Sequence, residues 1–195
     1  LELPLHVRQK DVTALARENK KSIEEAARDA RYAFYRELAS QYGYNRVALG
    51  HNSDDNAEQV LMNLLRGTGS RGLMGIPPTR DDWIIRPLIR ISRQEILAFL
   101  AHRCQSFVLD SSNEDTRYLR NRVRHELLPC LMKEYNPEIK SALNRLSLLV
   151  SEEEAWMDHQ IRAMITEHLE PMHKNEVRCP REVFSALTPA PARRL

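Results

Sequence analysis

Nine consecutive residues, Gly50-His51-Asn52-Ser53-Asp54-Asp55-Asn56-Ala57-Glu58, gather three carboxylates and a histidine where a short apolar stretch gives way to a helical pattern. Asp55 and Glu58 stand three apart and share one face of a first helical turn. Two like charges on one face repel unless something cationic sits between them, and an ammonium group or a metal would serve. The plainer alternative is that acids in a first turn simply suit the helix dipole, worth about 0.3–1 kcal/mol each. The position at the carboxyl end of a strand favours a site, because ligands of open α/β sheets bind in that crevice.

Three further stretches carry chemistry-bearing residues. Gly67-Thr68-Gly69-Ser70-Arg71-Gly72 matches G-x-G-x-x-G as a string. The dinucleotide fingerprint needs a strand before it, a helix after it and an acid about twenty residues on. Here a helical pattern precedes it and Pro77-Pro78 follow, so that reading fails. A glycine-rich loop that brings backbone amides near a ligand, or a plain turn, remains. Arg117-Tyr118-Leu119-Arg120-Asn121-Arg122-Val123-Arg124-His125 places Arg120 and Arg124 four apart on one helical face. Exposed like charges at that spacing destabilise a helix, and polyphosphate or an RNA backbone would relieve them; a solvated basic face is the alternative. Finally, Arg28 and Arg31 lie on a half-apolar helix, facing either a specific partner or a structural acid.

The elements that would position these residues follow from periodicity. Residues 5–9 read as a short strand and Val12 to Asn19 as a helix. Ser22 with Glu25 forms a capping box, and Ile23, Ala26, Ala27, Ala30, Phe34 and Leu38 keep helical spacing to about Gln41, where Gly43 ends the helix. Arg46 to Gly50 reads as a buried strand, Asp54 to Leu65 as a helix, Trp83 to Ile85 as a strand. Ser92 with Glu95 opens another helix to about His102. Phe107 to Leu109 reads as an edge strand and Asp110 to Tyr118 as polar loop. A helix holding Arg120 to Leu128 stops at Pro129, and Asn136-Pro137 opens a long helix to about His168. Helix, strand, helix over residues 22–65 is the rhythm of an α/β protein with a parallel sheet. Beyond residue 130 glycine is absent and the pattern is all helical, which sets an expected domain boundary there, 1–130 and 131–195.

Composition narrows the function classes. At 195 residues, with 42% apolar and 29% charged residues, the chain has an ordinary globular mixture rather than a disordered one. No stretch approaches the ~18 apolar residues of a membrane span. Cys104, Cys130 and Cys179 are odd in number and widely spaced, which fits reduced cytosolic thiols rather than a disulfide, zinc or iron–sulfur framework. Net charge is only +2, but the basic set is 23 Arg to 6 Lys. Arg's flat fork suits phosphate and carboxylate, although a compositional bias would produce the same excess. The ends, Leu1 and Leu195, read as those of an internal piece of a longer chain.

Taken in order, six segments resemble the tRNA(Ile)-lysidine synthases, within the PP-loop (N-type) ATP pyrophosphatases. They are Ser22 to Tyr32 with Arg28 and Arg31; Gly50-His51-x-x-Asp54-Asp55-x-x-Glu58; Leu64-Leu65-Arg66-Gly67-x-Gly69-x-x-Gly72-Leu73-x-Gly75-Ile76-Pro77; Ile85-Arg86-Pro87-Leu88; Asp110-x-Ser112-Asn113; and Arg120-Asn121-Arg122-x-Arg124-His125-x-Leu127-Leu128-Pro129. The resemblance implies a Rossmann-like sheet with flanking helices, incomplete at its amino-terminal side, followed by a helical linker and the start of a tRNA-binding region. It implies a cytoplasmic ligase that uses ATP and Mg²⁺ to adenylate the wobble cytidine of tRNA(Ile) with a CAU anticodon. Free L-lysine then displaces AMP; a homodimer is compatible and a membrane partner is not. Catalytic roles would fall to Arg31, Asp55, Glu58 and Arg124, and substrate binding to His51, Asp54, Arg66, Gly67, Gly69, Arg120, Asn121 and Arg122, with no resident metal. Arg31 would stabilise charge on phosphate and base, and Asp55 and Glu58 would hold the lysine ammonium or deprotonate it. Arg124 would meet phosphate or the lysine carboxylate, and His51 would shape the floor. The family's phosphate-binding loop, Ser-Gly-Gly-x-Asp-Ser, does not occur in these residues, so the chain alone is expected to be inactive. Another PP-loop tRNA-modifying enzyme, such as a cytidine thiolase, or a non-catalytic RNA-binding module is the alternative.

Overall fold

The computed structural model describes residues 3–108, 115–168, 170–173, 176–178, 180–186 and 188–192. The chain forms two compact units. One comprises residues 1–50 and 78–87; the other comprises 51–77 and 88–195.

In the first unit, α1 (Val12–Glu18) starts where the Asp11 side chain accepts from the Ala14 N–H. The long α2 (Ile23–Tyr42) opens on the expected capping box, Ser22 with Glu25, and closes on Gly43 at φ +69°. Three two-residue strands follow: β1 (Val47–Ala48), β2 (Thr79–Arg80) and β3 (Ile84–Ile85), in the order β1-β3-β2. β1 pairs parallel with β3, and β2 pairs antiparallel. The sheet is therefore mixed rather than all parallel. The antiparallel strand arises because a tight turn through Asp81 and Asp82, both at positive φ, folds Thr79-Arg80 back on Ile84-Ile85. Residues 5–9 do not form the expected strand. Leu3, Leu5 and Val7 alternate as a strand would, but are 72%, 85% and 81% exposed, and a strand without a pairing neighbour is not stable.

The second unit is built on α3 (Ser53–Leu65), capped by Asn52 with Asp55 in a second capping box. The glycine-rich stretch after it contains a one-turn helix, α4 (Ser70–Leu73), and α5 (Arg93–His102) begins at Ser92 as expected. Phe107 and Val108 are irregular, and the Asp110-x-Ser112-Asn113 segment and Leu109 lie outside the described residues. Next, α6 (Leu119–Arg122) runs into a π-helical turn, Val123–Leu127, and then α7 (Leu128–Glu134). The helix thus does not stop at Pro129. Leu128 N–H reaches back to the Val123 carbonyl across the widened turn, and Pro129 falls in the first turn of α7, where a missing N–H is tolerated. α8 (Ile139–His168) is the long helix expected after Asn136-Pro137. Beyond it β4 (Glu170–His173) pairs antiparallel with β5 (Glu176–Arg178), so this region is not all helical; α9 (Arg181–Ala186) and α10 (Pro189–Ala192) follow. The expected boundary near residue 130 falls inside this unit.

The core of the second unit joins Ala57, Val60, Leu61 and Met62 of α3 to Val123 and Leu128 around the π turn and Leu143 of α8. Burial of each such aliphatic side chain contributes about 1.5–3 kcal/mol. Polar groups fix the register within that packing. Asn56 is buried; its amide donates to Asn144 Oδ1 (2.8 Å) and Ser147 Oγ (3.2 Å), and its Oδ1 accepts from Ile76 N–H (2.7 Å). Ser147 Oγ donates to the Met74 carbonyl (2.7 Å), so α3, α8 and the end of the glycine-rich loop meet at one amide.

Gly75 sits beside that amide at φ +68°, and a Cβ there would lie 2.2 Å from Asn56 Oδ1 and 2.9 Å from Val60 Cγ2. Gly67 has nearly the same φ, +70°, with open space around it. Gly75→Ala is expected to destabilise the chain by about 2–4 kcal/mol, strain plus overpacking. Gly67→Ala should cost only about 1–2 kcal/mol. Urea denaturation of both variants checks this, and equal losses would refute the steric account.

Candidate functional site

The capping box that starts α3 also aims its acids. Asp55 Oδ2 accepts the Asn52 N–H (3.0 Å) and Asn52 Oδ1 accepts the Asp55 N–H (3.0 Å), which leaves Asp55 Oδ1 turned away from the cap. One turn on, Glu58 lies among Ala57, Val60 and Leu61 and is itself 2% exposed. An ionised carboxylate removed from water to that extent costs several kcal/mol unless it is paired and hydrogen-bonded.

Its partners are the two arginines of the basic segment. Arg124 Nε donates to Glu58 Oε1 (2.6 Å) and Arg124 Nη2 to Glu58 Oε2 (2.9 Å), a two-pronged grip. Arg120 Nε donates to Glu58 Oε2 (3.0 Å). Both arginines also reach Asp55 Oδ1, Arg124 at 3.0 Å and Arg120 at 3.3 Å. The crowding that the sequence shows on each helix is thus relieved by the other: two carboxylates on α3 meet two guanidinium groups from α6 and the π turn. The Glu58 hydrogen bond holds Arg124 above its usual pKa against the opposing pull of burial, with the charges of Glu58, Asp55 and Asp54 adding to it. The cluster is net neutral.

Asp54 points elsewhere. Its Oδ1 accepts from Lys140 Nζ of α8 (2.6 Å) and its Oδ2 from the Arg93 N–H that begins α5 (2.7 Å). Buried Asn121 donates to the Asp115 carbonyl (2.9 Å), and Arg122, between the two paired arginines, is exposed. His51 is half-buried ahead of the α3 cap. Arg66 caps the end of α3; Arg66, Gly67 and Gly69 are all exposed. Arg31 and Arg28 belong to the other unit, both exposed on α2. The second unit therefore brings together Asp55, Glu58, Arg120 and Arg124, with Asp54 and Asn121 bracing the same helices.

Several residues that hold this arrangement escaped sequence reasoning. Lys140, Asn144 and Ser147 recur at i, i+4 and i+7 on α8, a polar row inside an otherwise apolar pattern, and each bonds to the first turns of α3 or to the loop after it. Further along, Arg71 pairs with Asp158 (2.9 Å) and Glu154 (3.5 Å) of α8 and ties down α4. The row of polar residues was visible; its partners required the fold. Among the described residues no group of three or more His, Cys, Asp or Glu could hold a metal ion, and no helix is long and apolar enough to cross a membrane.

The Asp54 ties have a pH signature. Burial, the largest single influence, pushes its carboxyl up, but the Arg93 N–H and the Lys140 hydrogen bond and charge together bring it below the usual range. A depressed folded-state value stabilises the fold above the unfolded value, near 3.9, and that contribution disappears as pH falls through the folded value. Asp54→Asn should therefore be less stable than the parent chain at pH 7, with the gap closing below about pH 4. Denaturation midpoints from pH 7 to 2.5 check this; a constant gap would remove Asp54 as the source.

Residues 1–131 match the family model described as PP-loop domain. A tRNA(Ile)-lysidine synthase of Porphyromonas gingivalis is 47% identical over 145 residues, 74% of this chain and 32% of the relative. Those of Clostridium acetobutylicum and Geobacter sulfurreducens are 38% and 41% identical, over 81% and 86% of this chain and 34% and 36% of theirs. The chain spans about a third of the length of these curated relatives. With a family model covering two thirds of its length, the chain belongs to the PP-loop domain family.

Proposed function

We propose that this chain forms the lysine-handling part of a cytoplasmic tRNA(Ile)-lysidine synthase, a carbon–nitrogen ligase. The observation that carries the reading is the cluster of Asp55, Glu58, Arg120 and Arg124, which offers both charge signs that a free amino acid needs. The names of the relatives supply the substrate class.

In this reading the O2 oxygen of the wobble cytidine attacks the α-phosphorus of ATP and expels pyrophosphate. The lysine amine then forms a bond to C2, the C2–O bond breaks, and AMP leaves with the electron pair. The attacking nitrogen gives up a proton, and Asp55 or Glu58 is the base within reach of the bound amine. Arg124 meets phosphate or the lysine carboxylate. Arg31 stabilises charge developing on phosphate and base. His51 shapes the floor and Asp54, tied to Lys140 and the Arg93 N–H, steadies the start of α3, while Arg66, Gly67 and Gly69 bring a cationic side chain and backbone amides to the substrate. Asn121 fixes the helix that carries Arg120, and exposed Arg122, with residues beyond 131, lies against tRNA(Ile). ATP is consumed as a substrate and Mg²⁺ accompanies its phosphates. The family's Ser-Gly-Gly-x-Asp-Ser loop would complete the phosphate cradle, and its absence from these 195 residues makes the isolated chain inactive in this reading.

Labelled-lysine transfer to a tRNA transcript with a CAU anticodon, with ATP and Mg²⁺, tests this. The assay uses the chain both alone and joined to a segment bearing the phosphate-binding loop. The joined protein is expected to transfer lysine in preference to other amino acids. Asp55→Ala or Glu58→Ala should lower product formation by about 10²-fold or more with tRNA binding intact. Unchanged product formation would remove both acids from the assigned role, and transfer by the chain alone would refute the need for the loop.

A further inference from the structure

Three arginines of the first unit lie over aromatic rings, and one differs from the other two. Arg8 sits 4.8 Å from the centre of the Phe34 ring and also donates to both carboxylate oxygens of Glu37. Arg36 lies 5.4 Å over Trp83, and Arg80 lies 5.7 Å over Tyr32. Among the described residues Arg36 has no carboxylate partner, and Arg80 has only its exposed neighbour Asp81 at 3.3 Å. A ring face attracts the guanidinium as a cation and does not use up its N–H donors. Arg36 and Arg80 are thus placed by packing, with their donors left for something else.

Two elements bring them together. Asp29, Tyr32 and Arg36 share one face of α2, at spacings of three and four. Arg80 ends β2, and Trp83 stands immediately before β3, across the tight turn of Asp81 and Asp82. The backbone fixes Trp83 there: its N–H donates to the Arg80 carbonyl (3.4 Å) and its carbonyl accepts from the Val47 N–H (2.7 Å). Its ring meets Tyr32 edge-on, with centres 6.4 Å apart.

Asp29, Tyr32, Arg36 and Arg80 line a cavity of about 170 Å³. Two guanidinium groups against one carboxylate leave the lining with a single positive charge. The ion-pair partners behind it, Lys21 on Asp29 (2.6 Å) and Asp81 on Arg80, cancel each other. The Lys21 hydrogen bond holds Asp29 below the usual carboxylate range, so it is ionised at neutral pH. An anion that enters must tolerate that carboxylate. A phosphodiester carries one charge and matches the balance; a terminal phosphate, nearer two charges at pH 7, exceeds it. The rings add a second preference, because unpaired bases stack on aromatic and guanidinium planes.

We propose that this face of α2 and its hairpin is a contact for single-stranded RNA: one phosphodiester sits between Arg36 and Arg80, and the adjoining base stacks against Arg36 and Trp83. The site lies in the first unit, on residues to which the lysine-ligation reading gives no role, and it stands independently of that reading.

Trp83 supplies the readout. The chain has two tryptophans, Trp83 and Trp156, and Trp156 is 62% exposed on α8. In Trp156→Phe the indole emission reports Trp83 alone. A short unpaired RNA oligonucleotide should quench that emission saturably. The same strand held in a duplex should quench it far less, and inorganic phosphate should leave it unchanged. Adding Arg36→Gln should lower affinity for the unpaired strand about tenfold. It should also reduce the slope of log affinity against log salt by about 0.7, the share of one single-strand phosphate contact. Arg17→Gln removes the same charge from an exposed position on α1 outside the cavity, and should lower affinity by about twofold at most. Circular dichroism establishes that each variant is folded. Equal losses for Arg36→Gln and Arg17→Gln, an equal response to the duplex, saturation by inorganic phosphate, or no response of Trp83 to RNA would each overturn the proposal.

Discussion

A carboxylate in an apolar helix face sets the terms for the second unit. Glu58 occupies a position that Ala57, Val60 and Leu61 make part of the core, yet it carries a charge. Desolvation opposes that placement by several kcal/mol, and attraction to a nearby cation offsets it only in good geometry. Arg120 and Arg124 provide that geometry from more than sixty residues away. The helix that bears them must dock on α3 in one register and at one depth. The π turn serves the same end, bringing both guanidinium groups to one side while Val123 and Leu128 enter the core. The apolar packing would tolerate small sliding; the ion pairs would not.

Asn56 imposes the second constraint on the opposite side of α3. A buried amide left unbonded costs about 1–3 kcal/mol, so its three partners on α8 and at Ile76 are held together or lost together. The helix is thus pinned on one side by charge and on the other by neutral hydrogen bonds. Asp55, just ahead of both in sequence, takes its aim from the arginines at one oxygen and from the capping box at the other.

Local chemistry made much of this legible from the residues. The boxes Ser22–Glu25 and Ser92–Glu95 start α2 and α5 where their side chains say they should, because a cap is satisfied within four residues and needs no tertiary context. The cluster was half legible. Crowded acids on α3 and crowded arginines near residue 120 each called for an opposite charge, but periodicity does not say that two deficits cancel across the chain. Helix ends at proline misled, since a π turn shifts the hydrogen-bond register that makes proline a breaker. The strand reading of residues 5–9 rested on alternation alone, and alternation describes a face without providing a neighbour to pair with. β2 was invisible because two exposed residues, Thr79 and Arg80, carry no pattern; the turn at Asp81-Asp82 makes them a strand.

The polar row of α8 behaves like the teeth of a key. Lys140, Asn144 and Ser147 each fit one partner, and Glu154 and Asp158 continue the row to Arg71. Adding or deleting one residue in the short link between Tyr135 and Ile139 would rotate the whole row by about 100° about the helix axis. Leucines could repack after such a turn, but every tooth would miss its slot at once. The length of that link is therefore under tighter constraint than its composition, and a change there would reach the carboxylates of α3 without altering a single residue of the site.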